Sequence, residues 1–283
     1  MKFIKNLLFT LRPALMVLKT SDGISANKIR FNKRNRKCVV MGNGPSLRED
    51  LPGIMERKEE VDHICVNAFP LAEQFFALKP EYIVLTDTAW WREDPNMNDA
   101  TTRKKVFETL EKVDWKMQLI ITHNGDYNFI RSSVSNKNIE IIKLKTVNLY
   151  RPVDKDAFRF YDTGYFGPPF NNVLIIALYS AIKADYREIE IYGADLSYLF
   201  LIDVDQRTNE VFIEEEHFHK KSEKEILRRD AGIDSKPTTM HEFLYLQAMT
   251  LKSHELLSEY AKSKGIEITN KSSYSIIDAY SRG

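Results

Sequence analysis

Only two cysteines, Cys38 and Cys65, occur in 283 residues, and each sits inside a short apolar run. Thiols in such positions read as buried and reduced, so the chain is not a disulfide scaffold and suits a cytoplasmic compartment. No apolar run reaches the ~18 residues that a membrane-spanning helix needs. The G-x-G-x-x-G fingerprint of dinucleotide binding is absent, and no glycine loop ends in G-K-[ST], which excludes a P-loop. Beyond residue 37 there is no internal repeat, no low-complexity tract and no linker. Acidic residues are scarce at the start: residues 1–37 hold ten Lys or Arg against Asp22 alone, while the remainder carries 31 basic and 39 acidic residues. A mildly acidic body is a poor match for sequence-specific nucleic-acid binding, which wants a basic surface.

The basic beginning has a pattern of its own. Phe3, Ile4, Leu7, Leu8, Leu11, Leu15 and Leu18 recur at helical spacing, with Lys2, Lys5, Arg12 and Lys19 around them and Pro13 as a kink. Residues 1–36 read as a basic amphipathic arm. Such an arm suits an anionic membrane surface, or packing on the body or on a second subunit. Residues 37–283 then read as one domain in which strands and helices alternate. Expected strands are 37–41, 62–67, 81–86, 117–122, 139–144, 188–192 and 266–270. Expected helices lie near 71–78, 102–113, 172–184 and 239–264. This order implies an α/β fold with a mostly parallel sheet and helices on both faces. Thr239 and Glu242 form a capping-box pattern, and Gly265 stands where a helix-ending glycine belongs. The run 200–236 reads as a long, highly charged loop of the kind that serves as a lid.

The most informative stretch is Lys37-Cys-Val-Val-Met-Gly42-Asn43-Gly44-Pro45-Ser46-Leu47. It reads as a strand, a tight loop and a helix start, where bare amides could receive a phosphate. In an open parallel sheet, ligands bind beyond the carboxyl ends of the strands. Polar residues stand at those ends: Asn43, Asn67, Thr86-Asp87-Thr88, Thr122-His123-Asn124 and Gly193-Ala194-Asp195. A nucleotide or nucleotide-sugar site fits this set, because asparagine both donates and accepts. Asn171 or Asn172 should cap a buried helix whose dipole aims into the same crevice. His217 and His219 alternate, so on an extended segment they would share a face, and either could act as a general base. Asp203-Val204-Asp205 has the D-x-D form that binds metal in some sugar transferases, but such triplets are common by chance and here Gln-Arg-Thr-Asn, a turn composition, follows it.

Three collinear segments resemble a family. Val39 to Leu47, Ile64-Cys65-Val66-Asn67, and Asn172 to Tyr198 with Tyr186-Arg-Glu-Ile-Glu-Ile-Tyr192-Gly-Ala-Asp195 are similar to the bacterial lipooligosaccharide sialyltransferases of glycosyltransferase family 42. The resemblance covers roughly residues 37–220. It implies a single Rossmann-like, GT-A-like domain that works without a metal or other cofactor on a CMP-activated nonulosonic acid. It further implies that Asn43, Gly44, Pro45, Ser46 and Asn67 hold cytidine and phosphate, with Asn171, Asn172 and Tyr198 near the leaving phosphate; Thr86, Asp87 and Asp195 join this set from their strand-end positions. Asn171 and Asn172 depart from the family's Thr-Ser pair, and Ser197 takes the place aligned with a family tyrosine. His217, or His219 close behind, would be the base of an inverting displacement onto a glycan or lipid-linked acceptor. A peripheral position on the inner face of the cytoplasmic membrane, and a homo-oligomer, are compatible with this. The glycine loop is also similar to the pterin diphosphokinase-like family, which would call for ATP, magnesium and carboxylates such as Asp87, Asp195, Asp203 and Asp205. A nucleotide-binding protein without catalysis is the third reading.

Overall fold

In β1 (Lys37–Met41), Cys38 and Val40 enter one core while Val39 and Met41 enter another. A strand buried on both faces needs an unbroken apolar run, as parallel strands between helical layers generally do. The computed structural model describes residues 35–92, 100–144, 147–148, 158–217, 220–227 and 236–283, without side chains at 147, 198 and 214–225. Residues 1–34 of the expected basic arm lie outside this set.

An eight-stranded sheet organises the body, in the order β13-β12-β8-β1-β2-β3-β4-β5, with every neighbouring pair parallel. The strands are β2 (Asp62–Val66), β3 (Tyr82–Leu85), β4 (Met117–Thr122), β5 (Ile139–Leu144), β8 (Glu188–Tyr192), β12 (Glu267–Asn270) and β13 (Ser281–Arg282). The chain runs outward from β1 to β5, then returns to the other side of β1 for β8 and continues to β12. The expected Rossmann-like α/β architecture is therefore present. Short β6 (Val147–Asn148) and β7 (Phe166–Gly167) pair with each other beside it.

One face carries α1 (Leu47–Glu56), α2 (Phe75–Leu78), α3 (Ala100–Leu110) and α4 (Tyr127–Ser133). The other carries α5 (Phe158–Asp162), α6 (Val173–Lys183) and α7 (Met240–Ser263). Every residue of α6 from Leu174 to Ile182 is buried, which explains its nearly all-apolar sequence. The expected capping box of α7 is formed in full by Thr239 and Glu242. Cys38 and Cys65 are free and buried on opposite faces of the sheet, and burial pushes both thiol pKa values up. They are packing residues, not nucleophiles.

The run 200–236 departs from expectation. It holds a three-stranded antiparallel sheet of β9 (Ile202–Val204), β10 (Val211–His217) and β11 (Lys220–Ile226). Charge density hid it; Val211 and Ile213 of β10 are buried.

A charged cluster ties α1 to β8 and β12. Glu190 accepts from Arg57 Nη1 at 3.2 Å and meets Lys271 Nζ at 3.0 Å, while Arg57 Nη2 also bonds Tyr192 Oη at 2.7 Å. Burial opposes ionisation of Glu190, but Arg57 and Lys271 outweigh it and hold the pKa below the usual carboxylate value. A depressed acid contributes stability above its unfolded pKa and loses it as pH falls through the folded one. Glu190→Gln should therefore cost about 1–3 kcal/mol at pH 7. In urea titrations the gap from wild type should narrow steadily as pH drops below the ordinary carboxylate range.

Candidate functional site

The strand order reverses between β1 and β8, and in open parallel sheets ligands enter at such a point. The loops that follow these two strands are bonded to each other. Gly42 N donates to Tyr192 O at 2.8 Å and Gly44 N to Gly193 O at 2.9 Å. Ser46 N donates to Asp195 Oδ2 at 2.9 Å, and the Ser46 hydroxyl bonds the other carboxylate oxygen. A Cβ added at Gly42 would stand 2.3 Å from Gly193 O, and one at Gly44 would stand 2.2 Å from Asp195 Oδ1. The glycines are there so that two backbones can touch. This corrects the expectation of a bare amide cradle for phosphate: the amides of Gly42, Gly44, Ser46 and Leu47 are all used inside the protein.

The crevice above this junction has a volume of about 130 Å³. Asn43, Gly44, Pro45, Asn67, Asn172, Asp195 and Ser197 line it, together with the amino end of α6 at Val173 and Leu174. Ser46 lies beneath the loop, 7% exposed, and does not line the crevice. Asp195 reaches it, but its buried carboxylate is committed to Ser46. Burial raises the Asp195 pKa, against the lowering effect of the Ser46 hydrogen bonds. Asn172 caps α6, its Oδ1 accepting from Leu174 N at 2.7 Å. Asn43 Oδ1 and Asn67 Oδ1 are buried without a hydrogen-bond partner.

Backbone strain collects here. Asn67, Gly193 and Leu196 have φ of 49°, 62° and 51°. For Leu196, which has no glycine freedom, the left-handed region costs about 1–2 kcal/mol. Such outliers persist where the surroundings over-determine them, and they cluster at functional sites.

A larger chamber of about 700 Å³ adjoins the crevice and shares Asn67, Asn172 and Val173 with it. Thr86, Asp87, Thr88, Thr122, His123 and Asn124 supply its wall from the ends of β3 and β4, and Asn171 stands beside Asn172. Asp87 Oδ1 accepts from Ala89 N at 2.9 Å and so starts the short 3-10 turn Thr88–Trp90. The opposite wall is Ile213 of β10, Leu227, Thr238, and Phe243, Leu246 and Gln247 of α7. The helical spacing of Leu246, Met249, Leu256 and Tyr260 marks them as the inner face of α7, but Leu246 lines this chamber and is 47% exposed.

His217 ends β10 and its register partner is Lys220, the first residue of β11. The side chain of His217 and the whole of His219 lie outside the described residues, as does the side chain of Tyr198. Asp203 and Asp205 serve a surface hairpin: Asp205 Oδ1 accepts from Arg207 N at 2.9 Å and Thr208 N at 3.1 Å. Among the described residues no group of three or more His, Cys, Asp or Glu is arranged to hold a metal. His254, on α7, is fully buried against Tyr280 Oη at 2.9 Å, and burial lowers its pKa to about 3.

Several chamber residues were not singled out from the sequence. Asn148, Thr238, Phe243 and Gln247 come from distant segments without a local motif. His123 had a signal, its place directly after the buried strand β4. Its ring is partly exposed; partial desolvation, and to a lesser degree Lys143, lower its pKa from the usual imidazole value.

If the glycines serve loop contact, two substitutions should diverge. Gly44→Ala should cost about 1–3 kcal/mol through overpacking. Gly53→Ala, in α1 with nothing within 4 Å of the new Cβ, should stabilise by about 0.5–1 kcal/mol. Denaturant midpoints of the two variants check this.

No protein-family model and no curated protein matches the chain. A solved structure described as the MAf glycosyltransferase from Magnetospirillum magneticum AMB-1 is similar at a TM-score of 0.47 and 14% identity, over 89% of this chain. The chain spans 34% of the length of that structure.

Proposed function

We propose that the chain is a glycosyltransferase that takes its sugar from a nucleotide-activated donor. The observation that carries this reading is the pair of buried asparagine oxygens, Asn43 Oδ1 and Asn67 Oδ1, left without partners in the crevice between β1, β2 and β8. Each unmatched buried group costs about 1–3 kcal/mol, so a ligand with a polar edge is strongly favoured there. A pyrimidine edge or a ribose diol meets that requirement. The amino end of α6 borders the same crevice, and its dipole favours the negative charge of an adjoining phosphate.

The finer reading follows the resemblance of the glycine loop, the β2 end and the Tyr186–Asp195 segment. The donor is a CMP-activated nonulosonic or Kdo-type sugar, transferred with inversion to a cell-surface glycan without a metal. The resemblance points to His217 or His219 as the base, but neither side chain is among the described residues. The basic arm brings the enzyme to a lipid-linked acceptor on the inner face of the cytoplasmic membrane. The diphosphokinase alternative asks for carboxylates that converge on magnesium. Asp195 is bound to Ser46 and Asp205 to turn amides, which weighs against it.

Thermal-shift titration tests the donor class, because a ligand that binds only the folded state raises apparent stability. CMP should raise Tm without magnesium, and Asn43→Ala and Asn67→Ala should each weaken binding by roughly tenfold or more. A shift with ATP and magnesium, and none with CMP, would overturn the proposal.

A further inference from the structure

We infer that the larger chamber is the acceptor subsite, that its occupant is a hydroxyl-rich, uncharged saccharide, and that His123 receives the proton of the attacking hydroxyl. This rests on the transferase reading for its chemistry, but on its own observations for its place. The chamber is continuous with the crevice through Asn67, Asn172 and Val173. β4 is the third strand from β1 in the sheet order, which sets His123 about 14 Å from the glycine loop at ~4.8 Å per strand. A nucleotide held at the crevice and a sugar reaching across β2 and β3 would span that gap.

The chamber lining suits a polyol. Thr122, Asn124, Asn148 and Gln247 offer hydroxyl and amide groups, and Phe170 and Phe243 offer apolar rings against which a sugar ring can lie. Asn148 Oδ1 is buried without a hydrogen-bond partner, an acceptor waiting for a donor such as a hydroxyl. Asp87 is the acid on the wall, and a carboxylate repels a phosphorylated or otherwise anionic occupant.

His123 stands at the strand end where such an occupant meets the donor sugar. Its lowered pKa keeps the imidazole neutral near pH 7, the form that accepts a proton. In the step, the acceptor oxygen bonds to the anomeric carbon as its proton passes to His123. The bond from that carbon to the phosphate oxygen breaks, and its electron pair leaves with the nucleotide.

Carbethoxylation of His123 by diethyl pyrocarbonate, followed by peptide mass spectrometry on the full chain, reads the chamber directly. Neutral di- and trisaccharides, lactose first, should slow modification of His123 several-fold, and pyrophosphate should not. Protection by none of the saccharides, or equal protection by pyrophosphate, would overturn the assignment. Separately, His123→Gln should lower release of CMP from CMP-N-acetylneuraminate by about 100-fold or more, with the CMP-induced Tm shift unchanged. A variant that keeps the wild-type rate would remove His123 from the reaction. Failure of the wild-type protein to bind CMP would instead strike the donor reading, while saccharide protection of His123 would stand apart from it.

Discussion

Ser46 and Asp195 meet across the point where the sheet changes direction, and the site depends on that meeting. A buried carboxylate takes both the amide and the hydroxyl of one serine, while two glycine amides bond the carbonyls at the end of β8. A charged acceptor makes such bonds stronger than neutral ones. With Gly42 and Gly44 turned against the β8 loop, Asn43 between them is the residue of this loop that brings an unmatched polar atom to the crevice. The Gly-Asn-Gly order thus has a mechanical reason. The flanking positions must lack side chains so that the loops can touch, and the central one carries the group that a ligand would meet.

The same junction brings several polar and left-handed residues together at one end of the sheet. Below the crevice, Cys38, Val39, Val40 and Met41 are fully buried and every strand has parallel partners. Above it, Asn67 and Leu196 hold left-handed backbone, and Asn43, Asn67 and Asn148 keep buried oxygens without partners. Each feature costs free energy in the folded chain by itself. The large buried cores on both faces supply enough stability to carry these costs, and binding would recover part of them.

The parts of this arrangement that are local in sequence could be read from it. β1, β4, β5 and β8 begin and end at the expected residues because their apolar runs are stopped by glycine, asparagine or a change of charge. The cap at Asn172 and the Thr239–Glu242 box are likewise short-range chemistry. The role of the glycine loop was not legible, since its contacts are with Tyr192, Gly193 and Asp195, about 150 residues away. Asp195 looked like a ligand-binding carboxylate because it ends a strand, and only the fold reveals Ser46 on its two oxygens. Leu246 satisfied the helical period of a core residue, yet it falls where α7 leaves the core and borders the chamber.

The charged sheet β9-β10-β11 shows most clearly why periodicity alone misled. Its longer strands are rich in charge, Glu214-Glu215-Glu216 in β10 and Lys220, Lys221, Glu223, Lys224 and Glu225 in β11, which in isolation reads as solvated loop. Two-stranded and three-stranded ribbons with exposed edges benefit from such charge, because it discourages pairing with other chains. The apolar minority decides where the sheet sits: Val211 and Ile213 are buried, and Ile213 with Leu227 closes one wall of the chamber. A segment that needs only two or three buried residues to anchor it leaves little hydrophobic pattern to detect. It nonetheless bears on the site, since Ile213 and Leu227 give the chamber an apolar border beside the strand-end polar groups of β3 and β4.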